Sequence, residues 1–380
     1  MLSKLDSKLG KLIKTACSDL KTMIVIVYVK NMEMAINFFQ EKRIIIRAKY
    51  PFLNALCVEI TLDNLHLLAK QSCISYISSQ SNINTLSYVA KKIINVEKFY
   101  SENIFGKGIN VAIIDTGISP HIDFLLPNNR IMHFVDFVNK ESHFYDDNGH
   151  GTFITGLVAS NGLASGKKYS GIAPLCNIFS LKALDKDGQS TSVEMLEAMQ
   201  WIFDNKEKFN IDVVCMSFGA IPTSKYDPLM KGAEKLWDYG LTVVAAAGNS
   251  GPDKNTIKSP GISRKIITVG SFDDHRNEEE EFENANFSIA DFSSRGPAFE
   301  FFKPDLVVSG VNLVSCGNKE TYTKMSGTSV SAPLVAGICA LLIEKYKRKI
   351  NPNQIKTLLQ KCCTPIVRDR NTEGYGYLSF

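Results

Sequence analysis

The residues to follow first are a serine, an aspartate, a histidine and an asparagine, each set against an apolar run by small residues. Ser329 stands in TKMSGTSVSAP (323–333), a small-residue turn that feeds the apolar run Leu334–Ile343. A helix over that run is apolar on every side and therefore buried and central, with Pro333 suited to its first turn. The Ser329 hydroxyl then lies at a helix N-terminus, beside unpaired N–H groups that favour developing negative charge. An attacking oxygen would want that setting, although a serine there is equally a cap. Gly327 would let a substrate backbone come close. Asp115 ends the apolar run Ile113-Ile114, at the strand edge where α/β sheets bind ligands, or else serves as a turn residue. His150, in DDNGHGT (146–152), is flanked by glycines that expose its ring and let another backbone approach. The other five histidines lack that setting. Asn249 follows the strand-like Val243–Ala247, where its amide could cap a turn or donate to an oxyanion.

Elements of two kinds must position these groups. From residue 95 onward, uniform apolar strands (Val111–Ile114, Ile178–Leu181, Val213–Met216, Leu241–Ala247, Ile266–Val269) alternate with helical stretches such as Val193–Phe203, Met230–Trp237 and Pro352–Gln360. That alternation predicts a doubly wound α/β fold, a mainly parallel sheet covered on both faces by helices. Residues 22–79 read differently, as β-α-β-β-α-β, the pattern of a small α+β ferredoxin-like unit. Residues 80–94 are expected to be a polar linker, 1–21 an N-terminal extension, and 276–286 (RNEEEEFENAN) a solvated loop.

Composition excludes several classes. The 380 residues carry a formal charge of +4, are 44% hydrophobic and 22% charged, and show no basic block interleaved with aromatics, so nucleic acid is not an expected partner. No run of about eighteen apolar residues suggests an integral membrane segment. The N-terminus alternates Lys with Leu and Ile, lacks a secretory signal, and is expected to pack as a helix on its own protein. Nine cysteines without a CxxC pair argue against zinc. With no signal they point to a reducing, cytoplasmic setting.

The stretches IIDTG around Asp115, HGT at 150–152, AAAGNSGP at 245–252 and GTSVSAP at 327–333 stand in the order Asp, His, Asn, Ser. With GIAP (171–174), MSFG (216–219), SPGIS (259–263) and DFSSRGP (291–297), they resemble the subtilisin-like serine proteases, particularly the intracellular AprX-like branch. The resemblance implies a serine endopeptidase. Its nucleophile would be Ser329, its base His150, the residue orienting that base Asp115, and its oxyanion hole Asn249 with the Ser329 N–H. An extended polypeptide substrate would lie between Gly188-Gln189-Ser190 and Ser217-Phe218-Gly219. Ala245, Ala246 and Gly248 would wall the pocket for the residue before the cut.

Three further expectations come with the family. Lys258 would stand at the pocket base, where small residues are common, and favour an acidic residue before the cut or snorkel to solvent. Pro260 would follow a cis peptide. Residues 22–79 would act as a prodomain, at once chaperone and inhibitor, with maturation somewhere in 80–90; that stretch has no Asp or Glu and so gives the Lys258 idea no support. No catalytic cofactor is expected. Structural calcium is common in the family, but the loop 160–168 has two lysines and no carboxylate, a poor cation cage. The alternative is a catalytically silent member used as a regulatory or binding protein.

Overall fold

In Met23–Val29 (β1) every second residue, Val25, Val27 and Val29, is buried, as expected of a strand with one covered face. Met32–Glu41 (α1) follows, its N-terminus capped by Asn31, whose side chain accepts from Met34 N at 2.9 Å. Ile45–Tyr50 (β2), Ala55–Ile60 (β3), Leu62–Ala69 (α2) and Ile74–Ser79 (β4) complete a four-stranded antiparallel sheet of order β2-β3-β1-β4. Leu5 and Leu9 are buried in its core, so apolar residues of the N-terminal extension belong to this unit. The structure, a computed structural model, describes residues 4, 5, 9, 22–79, 86–275, 286–319 and 321–380. The connecting residues 80–85, most of 1–21 and the charge run at 276–285 lie outside the described residues. The chain divides into two compact units, 1–83 and 84–380.

The second unit opens with a difference from the sequence reading. Residues Leu86–Ile94 (α3) are a helix and not an exposed linker. Ala90, Ile93 and Ile94 are buried, because apolar residues spaced three and four apart gather on one face. Residues at the far end of the unit seat this segment. Phe380 N donates to Ile94 O at 3.0 Å, Asn95 Nδ2 donates to Phe380 O at 2.7 Å, and the Phe380 ring meets Phe99 edge-on.

The main sheet is laid down by Asn110–Asp115 (β5), Ile131–Asp136 (β6), Asn177–Lys182 (β7), Ile211–Met216 (β8), Thr242–Ala246 (β9) and Ile267–Asp273 (β10). Leu306–Ser309 (β12) and Tyr377–Leu378 (β16) extend it in parallel, while Ser288–Ile289 (β11) and Cys363–Thr364 (β15) join antiparallel. The order is β15-β16-β12-β10-β9-β8-β5-β7-β6, with β11 beside β10. This is the expected mainly parallel α/β sheet. The helices His150–Ala159 (α4), Ser192–Phe209 (α5), Pro228–Asp238 (α6), Thr328–Lys345 (α7) and Pro352–Lys361 (α8) accompany it. Between β12 and α7 lies a hairpin the apolar pattern does not announce, Leu313–Cys316 (β13) with Tyr322–Met325 (β14). It is tied to α4 where Ser315 Oγ donates to Phe153 O at 2.9 Å.

Every residue of α7 from Val330 to Ile343 is buried, against β8, β9, β10 and α4. Its length and apolarity would also suit a bilayer crossing, but 83% of the apolar stretch is enclosed by the protein. Pro333 lies inside the helix and not in its first turn, because the helix starts at Thr328 with Gly327 as N-cap. A proline there cannot donate to the carbonyl four residues back, so the Ser329 carbonyl lacks its helical partner.

Shortening a side chain in this helix leaves a void that the surrounding strands cannot fill. Ile338→Ala should therefore cost about 2–5 kcal/mol, read as a lower urea midpoint at unchanged slope.

Candidate active site

Strands β9, β8, β5 and β7 are neighbours and parallel, so their carboxyl ends share one edge. Asp115 is the last residue of β5, Ser217 follows β8, and Asn249 comes shortly after β9. Helices α4 and α7 bring their N-termini to the same edge.

His150 is the first residue of α4, and its Nδ1 lies 2.7 Å from Asp115 Oδ1. The same oxygen accepts from Thr116 N at 2.8 Å. A carboxylate oxygen can only accept, so Nδ1 carries the proton and Nε2 is left with its lone pair. Asp115 is 1% exposed, whereas the His150 side chain is 24% exposed. The other carboxylate oxygen, Oδ2, is buried without a hydrogen-bond partner among the described residues. A carboxylate desolvated in this way gains from a cation on the ring it touches. Burial pulls the His150 pKa down, but the charge and hydrogen bond of Asp115, helped by Asp146, outweigh it and hold the pKa above the usual 6.5.

Asp146 fixes where the histidine stands, a role not apparent from the sequence alone. Its Oδ1 accepts from Thr116 Oγ1, Asn148 N and Gly149 N at 2.9, 3.1 and 2.7 Å. Its Oδ2 accepts from Thr152 N and Oγ1 at 2.8 and 2.6 Å. Gly149, the N-cap of α4, has no side chain to cap with, and Asp146 satisfies the Thr152 N–H in its place. Thr116 Oγ1 in turn accepts from Gly151 N at 2.8 Å. A side chain at 151 would strike the Gly117 carbonyl, so the glycine after the histidine is what lets α4 meet the loop after β5. Lys182, fully buried, closes the arrangement from below by donating to Thr116 O, Asp147 Oδ1 and Leu184 O at 2.7, 2.6 and 3.0 Å.

Asn249 and Ser329 meet at Gly327. Asn249 Oδ1 accepts from Thr328 N and Oγ1 at 2.8 and 2.9 Å, and Gly248 N donates to Thr328 Oγ1 at 3.0 Å. With its oxygen held there, the amide turns its Nδ2 outward as a donor. A Cβ on Gly327, whose φ is +149°, would come within 3.1 Å of Asn249 Nδ2 and 3.2 Å of Ser329 Oγ. Only glycine leaves room for both. Thr328, which no motif role had singled out, is thus what aims the asparagine.

The remaining candidates distribute around this edge. Gly188 and Ser190 lie on an exposed turn in which Asp185 Oδ1 accepts from Asp187 N and Gln189 N at 2.9 and 2.8 Å. Asn148 Nδ2 ties that turn to the histidine loop through Lys186 O at 2.9 Å. Ser217 is buried, Phe218 half-buried and Gly219 exposed. Ala245 lies inside the ladder, paired with Met216 and Thr268, so the edge itself is reached at Ala246 to Gly248. Lys258 stands between the segments after β8 and β9, just before the Ser259–Pro260 peptide, which is cis.

One buried cluster has metal-ligating chemistry, namely His121, Asp123 and Cys316. The acceptor atoms of His121 and Asp123 are already engaged. His121 Nδ1 accepts from Asp123 N at 3.1 Å, and Asp123 accepts from Ala164 N, Ser160 Oγ and the Tyr322 hydroxyl at 2.8, 2.7 and 2.7 Å. Burial, then Asp123, raises the Cys316 thiol well above the usual thiol range. The loop 160–168 therefore turns N–H and O–H donors toward the carboxylate, which does not fit a hard cation.

A model of the Subtilase family matches residues 106–377. The chain is 34% identical to the serine protease AprX of Bacillus subtilis (strain 168), over 97% of this chain and 88% of that protein. It is 32% identical to subtilisin DY of Bacillus licheniformis, over 72% of this chain and 89% of that one. Among solved structures, a cold-adapted subtilisin-like serine proteinase superposes with a TM-score of 0.58 at 26% identity, covering 72% of this chain and 88% of that one. Sphericase, at 22% identity and a TM-score of 0.63, shares the fold over 76% of this chain and 96% of its own.

The geometry around the imidazole sets a measurable property. In a pH titration followed by NMR, His150 should titrate above 6.5. Removing the carboxylate charge in Asp115→Asn should move that midpoint down, and an unmoved midpoint would mean that another group sets it.

Proposed function

The chain belongs to the subtilase family and is a subtilisin-like serine endopeptidase, and from that premise we propose that Ser329, His150 and Asp115 are its triad and Asn249 its oxyanion donor. The observation that carries this reading is the 2.7 Å Asp115–His150 bond, buried at the carboxylate and open at the ring. Ser329 Oγ attacks the carbonyl carbon of the scissile peptide while His150 Nε2 takes its proton. Asp115 keeps the imidazole in the tautomer that can accept, and stabilises the imidazolium without becoming protonated. Asn249 Nδ2 and the Ser329 N–H, at the start of α7, donate to the oxygen as it becomes an oxyanion. Collapse expels the amine, which receives the proton from His150. A water then hydrolyses the acyl ester by the same steps in reverse roles. No cofactor enters.

The substrate is an extended polypeptide lying between the turn at 188–190 and Ser217-Phe218-Gly219, held by backbone hydrogen bonds as an added strand. Residues 22–79 serve as a prodomain that inhibits until it is removed. Their βαββαβ order and the extent of the AprX likeness, which spans nearly the whole chain, support that reading. Because 86–94 are a helix of the second unit, we place the maturation cut in the connecting residues 80–85. The site of action is the cytoplasm, on the strength of the free thiols.

Intact mass tests the reading. Wild type should lose its N-terminal unit and take up one equivalent of a serine-directed fluorophosphonate, while Ser329→Ala should remain whole and unlabelled. Processing of Ser329→Ala on its own would overturn the assignment. In the matured enzyme Asn249→Ala should lower kcat by about 10²–10³, the range found for this same donor in subtilisin itself.

A further inference from the structure

Lys258 is fixed in place by its backbone. Its N–H donates to Ala247 O at 2.9 Å, and its carbonyl accepts from Ile262 N at 3.0 Å. Its neighbour Ser259 exchanges two backbone hydrogen bonds of 2.9 Å with Ala220. Ser259 Oγ also donates to Asp227 Oδ1, the carboxylate that caps α6 by accepting from Met230 N at 3.1 Å. The residue is thereby stitched to both strand ends that flank the reactive edge, the segment after β8 through Ala220 and the segment after β9 through Ala247.

The side chain runs between the same two segments. A Cβ on Gly219 would stand 2.7 Å from Lys258 Cβ and 3.2 Å from its Cγ, and a Cβ on Gly248 would collide with Cγ. The two glycines thus form a slot that the lysine stem fills, one residue away from Asn249 on one side and next to Phe218 on the other. Lys258 is only half-buried, and its ammonium has no hydrogen-bond or ion-pair partner among the described residues. The two fully buried lysines among the described residues of this unit behave differently. Lys182 and Lys303 each reach a carboxylate, at 2.6 Å in both cases.

We propose that Lys258 gives this enzyme a preference for glutamate or aspartate immediately before the scissile bond. The proposal rests on the reading of Ser329 and Asn249 given above, because these two groups place the scissile carbonyl beside the slot. A substrate lying along the edge displaces water from the slot, and an ammonium desolvated in that way attracts a carboxylate far more strongly than it would in bulk water. The aliphatic stem takes up the inner part of the slot, so a large apolar side chain finds less depth there. Cβ and Cγ are already packed between Gly219 and Gly248, so part of the ordering entropy of the pair is spent before substrate binds.

The test is cleavage by the matured enzyme of peptides identical except for Glu, Gln, Ala, Leu or Lys before the cut. For wild type, kcat/KM for Glu should exceed that for isosteric Gln by about tenfold, the scale of one hydrogen bond to a charged partner. That ratio should shrink as salt is raised, fall to parity in Lys258→Ala, and give way to a preference for Lys in Lys258→Glu. Equal kcat/KM for Glu and Gln in wild type, with Ser329→Ala inert, would overturn the role of Lys258 and leave the nucleophile standing. Cleavage that survives Ser329→Ala would overturn the nucleophile and, with it, the slot assignment that depends on it.

Discussion

Helix α7 has no polar side to show to water, and the need to bury it organises the second unit. A helix apolar all round must be enclosed, and here β8, β9 and β10 lie on one side with α4 on another. Once its body is fixed in that layer, its first residues come to the carboxyl edge of β9, the edge at which β5 ends in Asp115. Ser329 therefore reaches that edge because the hydrophobic run behind it has one place to go. The Ser329 carbonyl left without a helical donor by Pro333 is a local cost inside an otherwise continuous element.

Side chains do the finer positioning, and each of those described is multiply bonded. Asp146 accepts five hydrogen bonds from four residues, replacing a cap that Gly149 cannot supply. Thr328 spends its N–H and its hydroxyl on one oxygen of Asn249, so the orientation of that amide is decided by the residue next to Ser329. Asp227 does the equivalent work beside Lys258, joining Ser259 to the start of α6. Satisfied networks of this kind restrict motion more than any single bond would, and in this chain they lie just behind the reactive groups.

The uniform strands and the buried helix were legible in the sequence, because apolar runs ending in small residues leave a strong local signal, and the four candidate residues were picked out where such runs begin or end. The limits were equally local. Pro333 looked like a first-turn proline because helix starts favour one, whereas the tertiary packing of α7 holds it further in. Residues 86–94 looked like linker because lysines and a serine mask an apolar face that packs against β12 and β13, far along the chain. The hairpin 313–325 gave no alternating pattern, since both strands are four residues long and one is largely polar. Asp146 and Thr328 were visible within their motifs, but what they hold depends on partners some 30 and 79 residues away.

The clasp between residues 94–95 and Phe380 spans 285 positions of sequence. Bringing such distant stretches together carries the loop-closure entropy of nearly the whole unit, and folds rich in distant pairings form slowly. During synthesis the first helix of this unit has no finished seat until the last strand, β16, and the residues after it have been made. Its apolar face, which packs against β12 and β13, therefore stays uncovered at least until those strands have been made. The proposed prodomain, standing immediately upstream in the same chain, would be present from the first moment of that interval.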